Sequence, residues 1–388
     1  MIVEQTIIPG NPLLWSLPGV MKSKNEDAEL VLVFAQRKQL IRKKLYDVLR
    51  KRYPRAEIIG CSTSGQVNPR GVDDSGIHTT ALHWRKSRIK AISLAVPNME
   101  ASYSVGASVA SSLSKLPHLK GMLILGDGLK LNGSEFVRGI RSVAPDTVLT
   151  GGLAGDGFNF KESVVMHNDS VGSGRVVAIG IYGEYAYVKT GYGAGWKPYG
   201  PPKIVTRSKK NVVYTLNDEK ALFFYKMYIG EKHANNLPGS GLYVPFAVLN
   251  EDGSIKVIRT VASVNEADGS MTFFGDIEQG SKIAFARAID DSLVESAGKA
   301  AADLASGTIV DGDEFTLCVS CVGRRLVLED NTKNEVLSVA RNLPSAVSIS
   351  GFYSYGEICS VENDAEEGLH NQTMTLARFG ETVLPDRD

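Results

Sequence analysis

Short apolar runs bounded by turn-forming residues recur along the first half of the chain. Their length is that of buried β-strands, and it is well below that of a membrane-spanning helix. The runs lie at Leu30–Phe34, Ile58–Cys61, Ile89–Leu94, Gly121–Leu125, Val148–Gly151 and Val176–Ile181. Helical patterns at 36–53 and 102–116 lie between several of these runs. Strands that alternate with helices predict an α/β fold for this half.

The second half carries different signals. Residues 199–202 read YGPP, which a helix cannot accommodate, so we expect a connection there and a boundary between two modules near residue 220. The turn sequences NEDG at 250–253 and EADG at 266–269 predict antiparallel hairpins. Helical patterns cover 218–229, 290–306 and 332–341. These features predict an α+β or α/β second half that contains at least one mixed β-sheet.

The charged residues cancel, because 43 Lys and Arg oppose 43 Asp and Glu. No summed field attracts phosphate backbones or anionic lipids, so neither nucleic acid nor a membrane surface is expected as a partner. Residues 1–12 lack the basic and apolar regions of a signal peptide. No stretch reaches the ~18–20 uninterrupted apolar residues that a spanning helix needs. We therefore expect a cytoplasmic protein without membrane insertion.

Four cysteines are dispersed along the chain, at positions 61, 318, 321 and 359. Cys318 and Cys321 have the CxxC spacing of half a zinc site or a redox pair. The surrounding run TLCVSCVG instead predicts a buried strand, on which positions three apart point to opposite faces. We therefore do not expect these two thiols to converge, nor the chain to depend on disulfides.

Glycines and small polar residues directly follow some of the predicted strands. Such residues mark places where the backbone turns sharply or approaches a ligand closely. The segments are GCSTSGQV at 60–67, GGLAGDGFNF at 151–160 and GFYSYGEIC at 351–359, and the last is followed by LHNQTMTL at 369–376.

These segments resemble the motifs of the FIST family. In that family the N-terminal module carries GCSTxG-like and GGxAGD-like turns, and the C-terminal module ends in GFxSYGEI followed by HNQT. The segment GAGWKPYGPPKIVT at 193–206 is similar to the stretch that joins the two modules. The resemblance implies a two-module FIST architecture with mixed sheets: a lead-in at 1–27, an N-terminal module at 28–219, a C-terminal module at 220–378 and a tail at 379–388.

The resemblance also implies a function. FIST modules are regarded as sensory input domains that bind small molecules such as amino acids. A stand-alone branch binds haem, senses nitric oxide and acts on a separate histidine kinase or cyclic-di-GMP enzyme. We therefore expect a sensor that acts in trans, with haem b and nitric oxide as the first candidates and a small polar metabolite as the second. A hydrolase that depends on Cys or on a Glu–His pair is the enzymatic alternative.

The two N-terminal motifs supply the first candidate ligand-binding residues. Cys61, Thr63 and Gly65 can present N–H groups and hydroxyls to a carboxylate or phosphate at a strand end, or they can form a turn that satisfies itself. Gly151 and Gly152 lack the spacing of a dinucleotide or P-loop motif but can approach an anion. Asp156 can bind a ligand ammonium group or cap its own turn.

The C-terminal motifs add Tyr355, Glu357, His370 and Asn371 to the candidate ligand-binding residues. Adjacent strands could gather them to orient a polar ligand. Glu and His also carry acid–base chemistry, but a Glu–His pair more often fixes a turn. We expect these residues and the glycine turns to form one pocket at the junction of the modules.

A haem would need an axial ligand and an apolar cleft. Among the 6 histidines, His83 lies beside Trp84 in a predicted strand, from which its ring can reach a pocket. His83 is therefore the candidate axial ligand of a haem that is not covalently attached, since no CxxCH is present.

Overall fold

The apolar runs form strands because their side chains are buried on both faces of a sheet. The computed structural model describes residues 1–12, 27–289, 291–306, 312–361 and 368–383. The strands of the first half are β1 (Ile2–Ile8), β2 (Leu30–Ala35), β3 (Glu57–Ser62), β4 (Gln66–Asn68), β5 (Gly71–Asp73), β6 (Ile77–His83), β7 (Arg88–Ala95), β8 (Leu119–Gly126), β9 (Val148–Leu153), β10 (Val165–His167), β11 (Ser170–Gly172), β12 (Arg175–Tyr182) and β13 (Ala186–Gly193).

The second half is also rich in strands. They are β14 (Trp196–Lys209), β15 (Val212–Leu216), β16 (Glu219–Lys220), β17 (Phe246–Leu249), β18 (Ile255–Arg259), β19 (Val261–Asn265), β20 (Ser270–Phe273), β21 (Lys282–Ala288), β22 (Glu314–Cys321), β23 (Val347–Ser354), β24 (Gly356–Cys359), β25 (Leu369–His370) and β26 (Met374–Glu381). The helices are α1 (Arg37–Leu40), α2 (Lys43–Arg52), α3 (Ser102–Leu113), α4 (Gly133–Arg141), α5 (Ala221–Ile229), α6 (Glu231–Ala234), α7 (Ser292–Ala305), α8 (Val322–Leu328) and α9 (Thr332–Asn342).

Three six-stranded sheets repeat one strand arrangement. Their orders are β1-β6-β2-β3-β10-β11 in sheet I, β7-β12-β8-β9-β24-β25 in sheet II and β13-β26-β22-β23-β4-β5 in sheet III. The two central strands of each sheet run parallel, and every other neighbouring pair is antiparallel. Helices connect the parallel strands of each sheet, as a parallel pair requires. The mixed α/β fold predicted from the sequence is confirmed.

Hairpins are exchanged among the three sheets in a cycle. The β4–β5 hairpin follows β3 of sheet I but extends sheet III. The β10–β11 hairpin follows β9 of sheet II but extends sheet I. The β24–β25 hairpin follows β23 of sheet III but extends sheet II. Sheets II and III therefore combine strands from both halves of the chain.

The inner faces of sheets I to III enclose one apolar cluster, to which Phe34, Leu125 and Phe352 contribute from the three sheets. Helices cover the outer faces, with α2 on sheet I, α3 and α4 on sheet II, and α7 and α9 on sheet III. A fourth sheet, β18-β17-β21-β14-β15-β20-β19 with β16 on β15, packs with α5 around its own core.

Two local predictions were wrong. The helix predicted at 36–53 is split into α1 and α2, because Arg42 is extended and its guanidinium donates to the carbonyl oxygen of Gly10. The YGPP segment is part of β14 rather than a connection: Tyr199 pairs with Phe285 and Lys203 with Ile283, and an irregularity between them accommodates the prolines.

The intervals proposed as lead-in and tail lie partly outside the described residues. The lead-in interval 1–27 contains β1, and the end of β26 lies in the tail interval. The predicted helix at 290–306 is observed as α7, with Asp290 outside the described part of the chain. No helix among the described residues is long and apolar enough to cross a bilayer.

Candidate functional site

Three turns meet where the second parallel strand of each sheet ends. They are turn A (62–65, at the end of β3), turn B (153–156, at the end of β9) and turn C (353–356, from the end of β23 to the start of β24). Backbone hydrogen bonds join them in a ring: Ser64 N donates to Tyr353 O at 2.8 Å, Tyr355 N donates to Leu153 O at 3.0 Å, and Gly155 N donates to Ser62 O at 2.9 Å. The motifs found in the sequence are therefore brought together from both halves of the chain.

A glycine precedes each of these turns at the same place in the parallel pair. Gly60, Gly151 and Gly351 pair with Val33, Ile124 and Cys318. A Cβ atom would lie 2.2 Å from the carbonyl oxygen of Val33, 1.9 Å from that of Ile124 and 1.7 Å from that of Cys318. The neighbouring backbone excludes any side chain, so at these positions the glycines serve close strand approach rather than ligand contact.

Turns A and B line a cavity of about 520 Å³ at the carboxyl ends of β2 and β3, which we call the strand-end cavity. Ligands of open α/β sheets generally bind at this end of the strands. Of the residues predicted from the sequence, Thr63, Gly65 and Asp156 lie in its wall. The Thr63 Oγ1 atom accepts a hydrogen bond from Gly65 N at 3.3 Å.

The charged groups in the wall of the strand-end cavity are balanced in sign. Its cations are Arg37, Lys38 and Lys161, and its carboxylates are Asp74, Asp156 and Glu162. Arg37 forms an ion pair with Glu162, and Asp74 forms one with Arg325 at 2.6 Å. The side chains of Lys38 and Lys161 are exposed, and their ammonium groups have no hydrogen-bond or ion-pair partner within the described ranges.

Asp156 caps turn B. One carboxylate oxygen accepts from Phe160 N at 2.8 Å and from the Tyr355 hydroxyl, and the other from Lys161 N at 3.0 Å and Glu162 N at 2.9 Å. Burial alone would raise the pKa of Asp156, but these hydrogen bonds together lower it below its usual value. Both oxygens are engaged by the chain itself, which favours the capping interpretation.

Tyr355 lies behind turn B and joins it to turn C. Its hydroxyl contacts Asp156, and its ring stacks on that of Phe160 with 4.4 Å between centroids. Burial, together with the hydrogen bond to Asp156, raises the pKa of the Tyr355 hydroxyl, so it remains a donor at neutral pH.

Cys61, Gly151 and Gly152 lie within strands and not in the wall of this cavity. The Cys61 thiol is packed in the central apolar cluster, where burial raises its pKa well above the usual value. Gly151 and Gly152 pair with Ile358 and Glu357 of β24.

Glu357, His370 and Asn371 are buried away from the strand-end cavity. The Glu357 carboxyl accepts from Ser354 Oγ at 2.7 Å and from Thr373 Oγ1 at 2.9 Å, and burial raises its pKa to about 8. His370 Nε2 lies 3.0 Å from Cys359 O, and Asn371 Nδ2 donates to His370 O. The structure does not bring this set together with Thr63 and Gly65; it lies around the β24–β25 hairpin instead.

Sequence reasoning missed Lys38, Lys161 and Arg325. Lys38 and Arg325 each follow a central strand closely, and Arg325 also donates to the carbonyl oxygen of Ser64 in turn A. The position of Lys38 and Arg325 shortly after apolar strands was the signal in the sequence that could have identified them.

His83 lies at the end of β6, where its Nδ1 is 4.0 Å from the nearest carboxylate oxygen of Glu29. Neither His83 nor any other histidine lines the strand-end cavity. A haem with a histidine axial ligand therefore does not fit the residues of that cavity. Among the described residues, no group of three or more His, Cys, Asp or Glu is arranged to hold a metal ion.

Two family models match the chain. The model described as the FIST N domain covers residues 29–219, and the model described as the FIST C domain covers residues 221–360. No curated protein matches the sequence.

Solved structures of low similarity cover nearly the whole chain. A chorismatase crystal structure shares 9% identity at a TM-score of 0.39, with 98% of each chain covered. A cyanuric acid hydrolase from A. caulinodans shares 9% identity at a TM-score of 0.36, with 99% of each chain covered. A further cyanuric acid hydrolase structure shares 10% identity at 0.35, covering 98% of this chain and 99% of that one. Scores this low support no inference about function.

Proposed function

Because the chain belongs to the FIST family, whose domains generally sense signals by binding ligands, we propose that its strand-end cavity binds a small polar metabolite with a carboxylate, such as an amino acid. The supporting observation is the pair Lys38 and Lys161, whose ammonium groups border this cavity without partners in the described part of the chain. An ammonium group attracts a carboxylate and can donate up to three hydrogen bonds to it.

The balance of charge restricts the ligand further. The wall carries as many carboxylates as cations, so it favours a zwitterion over a polyanion such as a nucleotide. Asp74 and Glu162 can accept hydrogen bonds from a ligand ammonium group, while Lys38 and Lys161 hold the carboxylate. A volume of about 520 Å³ lies within the usual size of small-molecule sites.

Haem with nitric oxide as the signal is the competing ligand proposal. It requires an axial ligand, and no histidine lines the strand-end cavity, so we rank a polar metabolite first. A hydrolase that uses Cys61 as its nucleophile is less well supported. Burial raises the pKa of the Cys61 thiol, which leaves almost no thiolate at neutral pH. Glu357 and His370 are buried away from that cavity, so their positions do not support a Glu–His hydrolase either.

The ring of hydrogen bonds offers a route for the signal. Turn A contacts turn C directly, and Arg325 binds both Ser64 O and the Asp74 carboxylate. A ligand that contacts Asp74 and Thr63 would favour one arrangement of Arg325 and α8 over another. We propose that a separate signalling protein, a histidine kinase or a cyclic-di-GMP enzyme, reads this arrangement.

Calorimetric titration of the full chain with each common amino acid tests the proposal. We expect at least one saturable ligand, and replacement of Lys38 or Lys161 by Ala should weaken its binding by about tenfold, equivalent to one lost charged contact. Lys299→Ala, which removes an exposed lysine of α7, should leave the affinity unchanged.

The result that would overturn the proposal is the absence of any amino-acid ligand, or equal loss of affinity in Lys299→Ala. A parallel reconstitution with haem separates the competing ligand. If the protein shows a stoichiometric Soret band that shifts with nitric oxide and does not bind an amino acid, haem and not a polar metabolite is the ligand.

A further inference from the structure

A second cavity lies between the connection from β8 to α4 and the strands β19 and β20 of the fourth sheet. Its wall combines Leu131 and Leu153 from the region of sheet II with Ala262 and Phe273 from the fourth sheet. Its volume is about 230 Å³, and it shares no wall residue with the strand-end cavity. We call it the apolar cavity.

The wall of the apolar cavity is uncharged. Within the described ranges, no Lys, Arg, His, Asp or Glu lines it. Leu131, Leu153 and Phe273 are buried, and Phe160 and Phe274 are half-buried with 6.1 Å between their ring centroids. Cavities lined by Leu, Ile and Phe stay dry and bind small apolar molecules, and an engineered one of about 150 Å³ binds benzene. The wall therefore favours an uncharged aromatic ligand of one or two rings.

An amide in this wall can orient such a ligand. The Asn211 Nδ2 atom donates to Phe273 O at 2.9 Å, which leaves Asn211 Oδ1 without a hydrogen-bond donor among the described residues. An amide oxygen that lines an apolar cavity can accept a hydrogen bond from an N–H or O–H group of a ligand. Indole and phenol each combine one such donor with a flat apolar ring.

Phe160 connects the apolar cavity to the candidate site. Phe160 lines the apolar cavity, whereas its neighbours Asp156, Lys161 and Glu162 line the strand-end cavity. The backbone of Phe160 has a φ of 51°, in the left-handed region that bulky residues rarely adopt. Asp156 accepts from its N–H, and the Tyr355 ring stacks on its ring. A ligand that packs on Phe160 would therefore favour this conformation of the segment that bounds both cavities.

We propose that the apolar cavity is a second binding site, which takes a small uncharged aromatic molecule with one hydrogen-bond donor, of the class of indole or phenol. The ligand packs against Phe160, Phe273 and Phe274 and donates to Asn211. It contacts turn B and the fourth sheet at once and stabilises their packing. This inference does not depend on the amino-acid proposal, because the two cavities and the two ligand classes differ.

Ligand-observed NMR titrations of the full chain test this site with three probes, indole, phenol and benzoate. Benzoate is close to phenol in size but carries a charge. We expect saturable binding of indole or phenol and at least about tenfold weaker binding of benzoate, because an uncharged wall does not compensate a carboxylate for its lost hydration. Comparable affinities for benzoate and the uncharged rings, or no saturable binding of indole or phenol, would overturn the proposal.

A pair of variants locates the binding. Ala262→Leu fills part of the apolar cavity from β19 and should weaken the preferred probe by about tenfold or more. Ala267→Leu is the matched control, since it makes the same change at an exposed position outside the wall and should leave the affinity unchanged. Equal affinities of the two variants would contradict the assigned location.

A measurement on the unsubstituted chain removes the dependence on the folding of a variant. Met99 lines the apolar cavity, whereas Met227 lies outside its wall and is 61% exposed on α5. In protein labelled with ¹³C at the methionine methyl groups, saturation with the preferred probe should shift the signal of Met99 and leave that of Met227 unchanged. An unchanged Met99 signal at saturation would show that the probe binds elsewhere and would overturn the proposal.

Discussion

The carboxyl group of Glu357 is fully buried, and its oxygens accept hydrogen bonds from Ser354 and Thr373. Burial raises its pKa from 4.5 to about 8, so the folded protein holds a proton there that the unfolded chain releases at lower pH. The favourable contribution of this proton is fully present below pH 4.5 and is lost as the pH rises towards 8.

We therefore predict that Glu357→Gln removes this pH dependence, because the amide stays neutral at every pH. Between pH 5 and pH 9, the free energy of unfolding of the variant minus that of wild type should rise by about 2–4 kcal/mol, at about 1.4 kcal/mol per pKa unit. Urea unfolding at a series of pH values measures the difference. Glu278→Gln, at an exposed position, is the control, and parallel stability curves for wild type and Glu357→Gln would contradict the prediction.

Part of the candidate site could be predicted from the types of residue that follow the strands in the sequence. Thr63, Gly65 and Asp156 follow strands in polar, glycine-rich turns, and these three residues share the strand-end cavity. The positions of Glu357 and His370 could not be predicted, because β24 pairs with β9 from the other half of the chain. The direction of a strand side chain depends on that pairing, which a single sequence does not contain.

At the scale of elements, the parallel pair of each sheet depends on a glycine. We predict that Gly351→Ala destabilises the protein by about 3 kcal/mol or more, because the added methyl group would overlap the carbonyl oxygen of Cys318 and push β22 and β23 apart. Gly172→Ala in β11 is the matched control, since no atom lies within 4 Å of its added Cβ. Thermal unfolding compares the two variants, and similar melting temperatures would refute the assigned role of Gly351.

Most strands and helices could be predicted from local patterns, because long apolar runs and amphipathic periods leave few alternatives. The predicted run at 176–181 is the core of β12, and that at 332–341 corresponds to α9. The break at Arg42 could not be predicted, because it depends on a hydrogen bond to Gly10, far away in sequence. The exchange of hairpins among the sheets could not be predicted either, since turn sequences do not specify which sheet a hairpin joins.

At the scale of the whole molecule, the two family regions share their sheets. Sheet II takes β24 from the second region and β25 from the chain that follows it, and sheet III takes β4, β5 and β13 from the first. The central apolar cluster likewise combines Leu125 of the first region with Phe315 and Phe352 of the second. Either region alone would leave this cluster and the edges of its sheets uncovered.

We predict that fragments 1–219 and 220–388 do not fold separately, but assemble when they are produced together. Circular dichroism and size-exclusion chromatography should show a cooperative unfolding transition only for the full chain and for the mixed fragments. A well-dispersed NMR spectrum from fragment 1–219 alone would show that the shared sheets are dispensable.

The cyclic exchange of hairpins also limits how such a chain can be recombined. A chimera that takes one half from a relative must reproduce the pairing of the strands that sheets II and III receive from the other half of the chain. It must also reproduce the three backbone hydrogen bonds that join turns A, B and C. Grafting is therefore more feasible within the fourth sheet, whose strands come from one continuous stretch, Trp196–Ala288.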